Sequence, residues 1–248
     1  MRNALQWLAG LTLLSAPLSA QTVDDILGRY VKAIGGLERI QAVQSLRRSG
    51  KFTGGGGFEA VVVEENARPN HVRQEFSLQG MTGVNAYDGH AGWKIEPWQG
   101  KKDPESLSEE ELHDILLESD FDGPLINSQQ KGYRIEYVGM DQVDGSDCYK
   151  LKVTFPNGDV RLYYLDSDYA VPIKIEDQRM IRGAVQEFET TLGDYKAVDG
   201  WYLPYSFETR VKGSPGGQQV TWQRIDANVA IDSTRFTRPP APASRSER

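Results

Sequence analysis

Few residues of this chain have the types and spacing that catalysis or metal binding requires. The three histidines, His71, His90 and His113, stand far apart, and none is spaced to share a metal ion with another. There is no Gly-x-Ser-x-Gly turn that would expose a nucleophilic serine. The sequence therefore predicts no catalytic residue, no metal site and no cofactor.

Two other groups of residues could suggest chemistry, but simpler roles are favoured. Asp120 and Asp122, like Asp166 and Asp168, are spaced as carboxylate pairs, yet they lack the bidentate glutamate of a calcium loop. Turns and helix caps are the usual places for such aspartates. The run Gly54–Gly57 is followed by neither Lys-Ser/Thr nor a helix, so a hairpin loop is favoured over a phosphate-binding loop.

Three residues in turns leave a binding role open. Trp93 and Trp98 flank the close of a hairpin, where a structural role is favoured over a ligand contact. Arg68 precedes Pro69, and on the residues alone a surface arginine is the favoured interpretation.

Composition excludes several classes of protein. The chain has 248 residues, of which 39% are hydrophobic and 10% aromatic, enough for a packed core. Its net charge of −7 offers no basic surface, so nucleic acid is not an expected partner. Cys148 is the only cysteine, and an intrachain disulfide is therefore impossible.

The first twenty residues have the pattern of a secretory signal peptide. Arg2 supplies the positive start, Ala4–Leu14 is an apolar run, and small residues lead to a cleavage site after Ala20. Gln21 follows where a bacterial lipoprotein would carry cysteine. We therefore expect residues 1–20 to be removed and the mature protein to be soluble in the periplasm, without a lipid anchor.

The elements that must position any site are mainly strands. Thr22 followed by Asp25 predicts a helix start, and Ser108 followed by Glu111 predicts a second helix over 108–118. The tail 238–248 is rich in Pro, Ser and Arg and is expected to be disordered. Alternation of apolar and polar residues predicts strands at 45–53, 58–66, 71–79, 82–87, 92–96, 133–140, 147–155, 159–166, 171–177, 184–192, 201–211 and 218–229.

This arrangement predicts a mainly β domain over residues 21–237. So many strands must curl, close or split. We expect one large curled antiparallel sheet, an incomplete β-barrel, covered by the N-terminal helix and by the inserted helix. A helix laid across such a sheet leaves a lined apolar cavity.

The segment 66–98 resembles a known family. Arg68-Pro69-Asn70, then a strand, then Asp88-Gly89 with Trp93 and Pro97 at the following positions, are similar to a motif of the LolA-like periplasmic lipoprotein carriers. The literal motif covers only this segment, whereas the order of elements fits most of 22–236. The chain departs from a minimal carrier in its expanded segment 99–132 and its Pro/Arg tail.

The resemblance implies an open barrel whose apolar cavity shields acyl chains under a helical lid. It also implies that Arg68 hydrogen-bonds to that lid and acts as its latch. The residues expected in the hydrophobic cavity and the lid are Phe76, Trp93, Leu112, Ile115, Leu116, Leu151, Val153, Leu203, Tyr205 and Phe207.

Three functions follow for comparison. The leading hypothesis is a soluble periplasmic carrier without catalysis, whose partners are a lipidated protein or other lipid ligand and membrane transport proteins of the inner or outer membrane. The second is an envelope sensor or protein-interaction module with a largely filled interior. The third, an enzyme using cleft carboxylates, has no motif in its favour.

Overall fold

The computed structural model describes residues 21–181 and 184–240 of the chain. The predicted signal peptide and residues 241–248 of the predicted tail lie outside the described residues. The helices are α1 (Val23–Ala33), α2 (Leu37–Ala42) and α3 (Glu109–Ser119), with short 3-10 helices at Pro97–Gln99 and Ser233–Arg235. The strands are β1 (Ser45–Thr53), β2 (Glu59–Ala67), β3 (His71–Leu78), β4 (Met81–Tyr87), β5 (Gly92–Glu96), β6 (Lys101–Ser106), β7 (Arg134–Val143), β8 (Ser146–Thr154), β9 (Val160–Asp166), β10 (Pro172–Ile181), β11 (Ala184–Gly193), β12 (Lys196–Val198), β13 (Trp201–Leu203), β14 (Ser206–Val211) and β15 (Gly217–Ala227).

Thirteen of these strands form one antiparallel sheet in the order β6-β5-β4-β3-β2-β1-β15-β14-β11-β10-β9-β8-β7, and β12 pairs with β13 alone. From β1 the strands follow in chain order to the edge strand β6. The chain then crosses through α3 to the opposite edge strand, β7, and returns from there to β15, which pairs with β1. The edge strands β6 and β7 do not pair with each other. The predicted fold class, a curled sheet not closed into a barrel and accompanied by helices, is confirmed.

The N-terminal helix begins at the residues that the sequence indicates. The Thr22 side chain accepts from the Asp25 backbone N–H, and the Asp25 carboxylate accepts from Thr22 N, a reciprocal cap that satisfies two free N–H groups. Ile26 is then buried against Leu151 and Leu165. The helix ends at Ala33, and Gly35 follows its C-cap; the φ of +118° at Gly35 and its close approach to the Gly200 carbonyl leave no room for a Cβ atom.

The crossing between the sheet edges starts with α3. Ser108 and Glu111 form a second reciprocal cap, as predicted. The helix packs Ile115 against Val72 and Tyr87 on the inner face of the sheet, the face that also contacts α1. Each helix that the structure describes is too short or too polar to span a membrane.

The C-terminal segment 232–238 covers part of the outer face, the opposite side of the sheet. Phe236 is 1% exposed, and its carbonyl accepts a hydrogen bond of 2.6 Å from Trp93 Nε1. Arg235 donates to Glu65 at 2.6 Å and to Glu75 at 2.9 Å. The segment 232–238 therefore covers this surface, and Arg235 neutralises its carboxylates.

Three elements differ from the sequence prediction, and one of them is the three-residue strand β12, which was not predicted. Strand β6 was not expected, because Lys101–Ser106 is polar and contains a proline; it pairs with β5 at the sheet edge. The single strand expected over 201–211 is divided into β13 and β14, and β13 leaves the main sheet to pair with β12. Local alternation cannot reveal which neighbour a strand chooses.

Candidate functional site

A cleft of about 480 Å³ lies between the inner face of the sheet and the segment 117–125. Phe52 of β1 and Phe76 of β3 line one side, and Ile175 of β10 and Leu192 of β11 line the other. These strands lie far apart in the sheet order. They face a common cleft because the sheet curls around it.

Part of the cleft is an aromatic surface. Phe121, which follows α3, packs at 6.1 Å from the ring of Trp201, and Phe52 packs edge-on against Phe76 at 5.9 Å. These side chains belong to one contiguous hydrophobic cluster. The aromatic residues that line the cleft are Tyr30, Phe52, Phe76, Phe121, Tyr163, Tyr195, Trp201, Tyr202, Phe207 and Trp222.

The inner face also carries buried charges at the cleft. Arg48 donates to the Glu64 carboxylate and, at 2.7 Å, to the side-chain oxygen of Asn66. Gln74 donates to the other oxygen of Glu64 at 2.9 Å. The side chains of Arg48 and Glu64 are 14% and 9% exposed. A charge pair with so little exposure depends on further hydrogen bonds, and Asn66 and Gln74 supply them here.

A second charged group comes from β9 and β10. Arg179 donates to one oxygen of Asp177 at 2.9 Å, and Arg161 approaches the same oxygen at 3.5 Å. The Asp177 side chain is 4% exposed, and its other oxygen, Oδ1, has no hydrogen-bond partner among the described residues. Two guanidinium groups thus share one carboxylate beside the cleft.

A smaller cleft of about 260 Å³ adjoins the first. It lies between α3 and the strands, with carboxylates on the helix side and arginines on the sheet side. Its lining residues are Gln74, Asn85, Leu107, Glu111, Asp114, Ile115, Glu118, Arg161 and Arg179. Four of them, Gln74, Glu118, Arg161 and Arg179, also line the larger cleft.

Glu118 stands where the two clefts meet. The residue is exposed to solvent and lines both clefts. Desolvation raises the pKa of the Glu118 carboxyl, and the nearby Glu64 carboxylate raises it further. Three arginines (Arg161, Arg48 and Arg179) act in the opposite direction without cancelling this rise.

Arg68 joins the sheet to the segment after α3. Its guanidinium binds both oxygens of Asp122, at 2.8 and 2.7 Å, and donates to the carbonyls of Val43 and Ile40. It also stacks over the Phe121 ring at 4.8 Å. A bidentate pair of this kind fixes orientation as well as charge. It holds residues 121–122 over the larger cleft.

The structure brings some of the expected cavity residues to the clefts. Phe76, Leu203 and Phe207 line the larger cleft, and Ile115 lines the smaller one. The others lie elsewhere: Leu112 packs beside Ile115, Leu116 is 41% exposed, Leu151 and Val153 are buried near α1, Tyr205 is buried in the central core, and Trp93 packs with Phe236 on the outer face.

Sequence reasoning missed the charged residues of the clefts. None of Arg161, Asp177, Arg179 and Glu118 was singled out from the sequence. One signal was present, because Asp177 and Arg179 alternate with Ile175 and therefore share its face.

Comparisons with known proteins were made for sequence and for structure. No protein-family model matches the sequence, and no curated protein matches it. A domain described as an outer membrane lipoprotein-sorting protein, from Vibrio parahaemolyticus, is similar in structure with a TM-score of 0.57 at 12% identity, over 87% of this chain and 95% of that one.

Two further structures show the same likeness. A LolA superfamily protein from Nitrosomonas europaea matches with a TM-score of 0.58 at 13% identity, over 88% of this chain and 98% of that one. A DUF1329 family protein from Desulfovibrio piger matches with a TM-score of 0.59 at 12% identity, over the same shares. At such identities the likeness is one of fold. The chain has the LolA-like fold that the resemblance implied.

Proposed function

We propose that this chain is a soluble carrier of the periplasm that shelters an apolar lipid ligand, such as a lipoprotein acyl chain, in the larger cleft. The observation that carries the proposal is the aromatic cleft of about 480 Å³ under residues 117–125. A volume in this range suits a small-molecule ligand. The neighbours of known structure with this fold include a LolA superfamily protein and a domain described by lipoprotein sorting.

The physical chemistry of the cleft supports binding without catalysis. Each methylene group buried from water contributes roughly 0.8 kcal/mol, so an apolar chain needs only a dry, shaped surface. Phe76, Phe207 and Leu203 offer such a surface on the sheet side, and Phe121 offers it on the covering side. No bond has to be made or broken in the ligand.

Release of the ligand requires the cover to move, and we propose Arg68 as its latch. The pair between Arg68 and Asp122 is the charged link between the sheet and the covering segment. A few hydrogen bonds, each contributing about 1 kcal/mol, would set the balance between closed and open states. Partners in the membranes would then act by shifting that balance.

The alternative, an interaction module on the same fold, predicts a filled interior. The open volume beside Phe52 and Trp222 favours the carrier. The two functions separate in a direct test. The full-length protein is expressed with its leader, purified from the periplasm without detergent and examined by native mass spectrometry. Binding of N-phenylnaphthylamine, an uncharged probe that fluoresces in apolar surroundings, is titrated in parallel.

We expect a co-purifying lipid and saturable probe binding. A matched pair of variants locates the site: Phe207→Asp in the cleft should abolish probe binding, whereas Tyr169→Asp, at a residue 75% exposed, should not. Absence of both lipid and probe binding from the wild-type protein would refute the carrier and leave the interaction module.

A further inference from the structure

Opposite charges face each other across the place where the two clefts meet. Arg161 and Arg179 stand on the sheet side, and Asp114 and Glu118 stand on α3. Among the ion pairs of the described residues, none joins either arginine to either of these carboxylates. The two walls are therefore separated by space, and neither neutralises the other by contact.

The sheet side has two guanidinium groups for one carboxylate. Two guanidinium groups share the single carboxylate of Asp177, and Arg161 reaches it only at 3.5 Å. A well-formed charged hydrogen bond between nitrogen and oxygen measures roughly 2.7–2.9 Å. Guanidinium groups bind phosphate through planar pairs of N–H groups. A phosphate in the smaller cleft would supply the oxygens that these arginines need.

The helix side lacks a donor. Glu118 keeps a raised pKa although three arginines lie close enough to oppose the shift. On the sheet side, Asp177 of β10 keeps Oδ1 without a partner in the described part of the chain, although buried polar atoms are nearly always hydrogen-bonded. Glu111, the third acid of α3 here, already binds Lys94. Asp114 and Glu118 therefore have no cationic partner among the described residues and could bind a positive group.

We infer that the junction of the clefts binds the head group of a zwitterionic amphiphile, with its phosphate against Arg161 and Arg179 and its ammonium against Asp114 and Glu118. The inference rests on the proposed function, because it places the apolar chain of the same ligand in the aromatic part of the larger cleft. A purely anionic head group would face the carboxylates of α3, and a purely cationic one would face the arginines. Only a head group with both charges matches both walls.

The test compares lipids that differ only in the head group. Lysophosphatidylethanolamine, lysophosphatidate and monoacylglycerol with the same acyl chain are titrated against the full-length protein loaded with N-phenylnaphthylamine. We expect the zwitterionic lipid to displace the probe at roughly tenfold lower concentration than monoacylglycerol, the effect of one or two charged hydrogen bonds. Glycerophosphoethanolamine, which has the head group without a chain, should not displace it.

Variants identify the residues that select the head group. Glu118→Gln and Asp114→Asn should each reduce the preference for the zwitterionic lipid several-fold without changing the affinity for monoacylglycerol. Glu110→Gln, on the exposed side of the same helix, is the matched control and should change neither. Arg179→Gln should remove the preference, whereas Arg134→Gln, at a residue 68% exposed on β7, should not.

The outcomes separate the inference from the proposed function. Equal displacement by all three lipids would overturn the head-group site and leave the carrier intact. Stronger displacement by lysophosphatidate would overturn the zwitterionic assignment in favour of an anionic ligand. Failure of every lipid, together with failure of the probe itself to bind, would refute the carrier on which the inference rests.

Discussion

Two neighbouring glutamates on β2 show how differently the two faces of this sheet are used. Glu65 points to the outer face and Glu64 to the inner face, and they are 3% and 7% exposed. Glu65 binds Arg235 of the C-terminal segment at 2.6 Å and lies 3.6 Å from Arg47. Glu64 binds Arg48 and Gln74 and borders the larger cleft.

The two faces differ in what lies against their charged residues. The outer charges are neutralised by residues of the same chain, and Phe236 fills the space between them and Trp93. The inner charges stand beside an open cleft, and Asp177 there keeps one oxygen unpartnered among the described residues. Closure by the chain itself serves stability, whereas an incomplete inner face leaves room for a ligand.

Removal of the Phe236 ring tests the outer face, which the segment 232–238 covers, and should have the largest effect on stability. Phe236→Ala leaves a cavity beside Trp93 and the ring of His71, so we expect a loss of about 3–5 kcal/mol in the free energy of unfolding. Urea denaturation followed by tryptophan fluorescence measures it. Ligand affinity of the folded fraction should not change.

The control for this variant is Phe58→Ala, at a phenylalanine 48% exposed, which should cost far less. If Phe236→Ala left stability unchanged but weakened ligand binding, the outer face would not be a purely structural closure, and the contrast between the faces would fail.

Arg68→Leu tests the cover of the open face. The change leaves Asp122, whose side chain is 7% exposed, without its cation and also removes the donors to Val43 and Ile40. We expect a loss of about 2–4 kcal/mol, because a buried carboxylate would be left unpaired. Residues 120–125 should exchange amide hydrogens faster, and probe release in stopped flow should accelerate.

Arg47→Leu on the outer face provides a matched control, because that arginine is 53% exposed and lies 3.6 Å from its carboxylate. It should change stability by less than about 1 kcal/mol and leave probe release unaltered. A wild-type release rate in Arg68→Leu would eliminate the latch.

Much of the fold can be predicted from short-range patterns in the sequence. Alternation predicted strands such as 71–79 and 147–155, and the pairs Thr22/Asp25 and Ser108/Glu111 predicted the starts of α1 and α3. These features depend on residues a few positions apart. Strand β6 was not predicted from the sequence, because this strand forms by pairing with β5, and its own residues do not encode that pairing.

The candidate site was less predictable. Arg161 and Arg179 lie on different strands, and only the curl of the sheet brings them to the same clefts as Glu118. In the sequence, each appears as an ordinary charged residue of an amphipathic element. Arg68 is the exception, since the resemblance of its turn indicated a contact with the covering segment before any distance was known.

The smallest expected effect is a pH dependence that comes from Glu118. Its pKa is raised in the folded protein by desolvation and by Glu64, so its ionisation favours unfolding. The contribution of the uncharged carboxyl to stability is complete below the unfolded pKa of about 4.3 and is lost as the pH rises through the folded pKa. Glu118→Gln should therefore raise the melting temperature at neutral pH.

The gain in melting temperature should disappear at acidic pH, where the wild-type carboxyl is itself protonated. Glu110→Gln, on the exposed side of α3, should show no such pH-dependent difference. At neutral pH, a saturating zwitterionic lipid should make the wild-type protein melt at a higher temperature than Glu118→Gln. The reason is that the ammonium group of the lipid would stabilise the ionised Glu118 and not the glutamine. If the lipid left the wild-type protein melting below Glu118→Gln, no ammonium group would contact Glu118, and the incomplete inner face would lose its clearest sign of a missing partner.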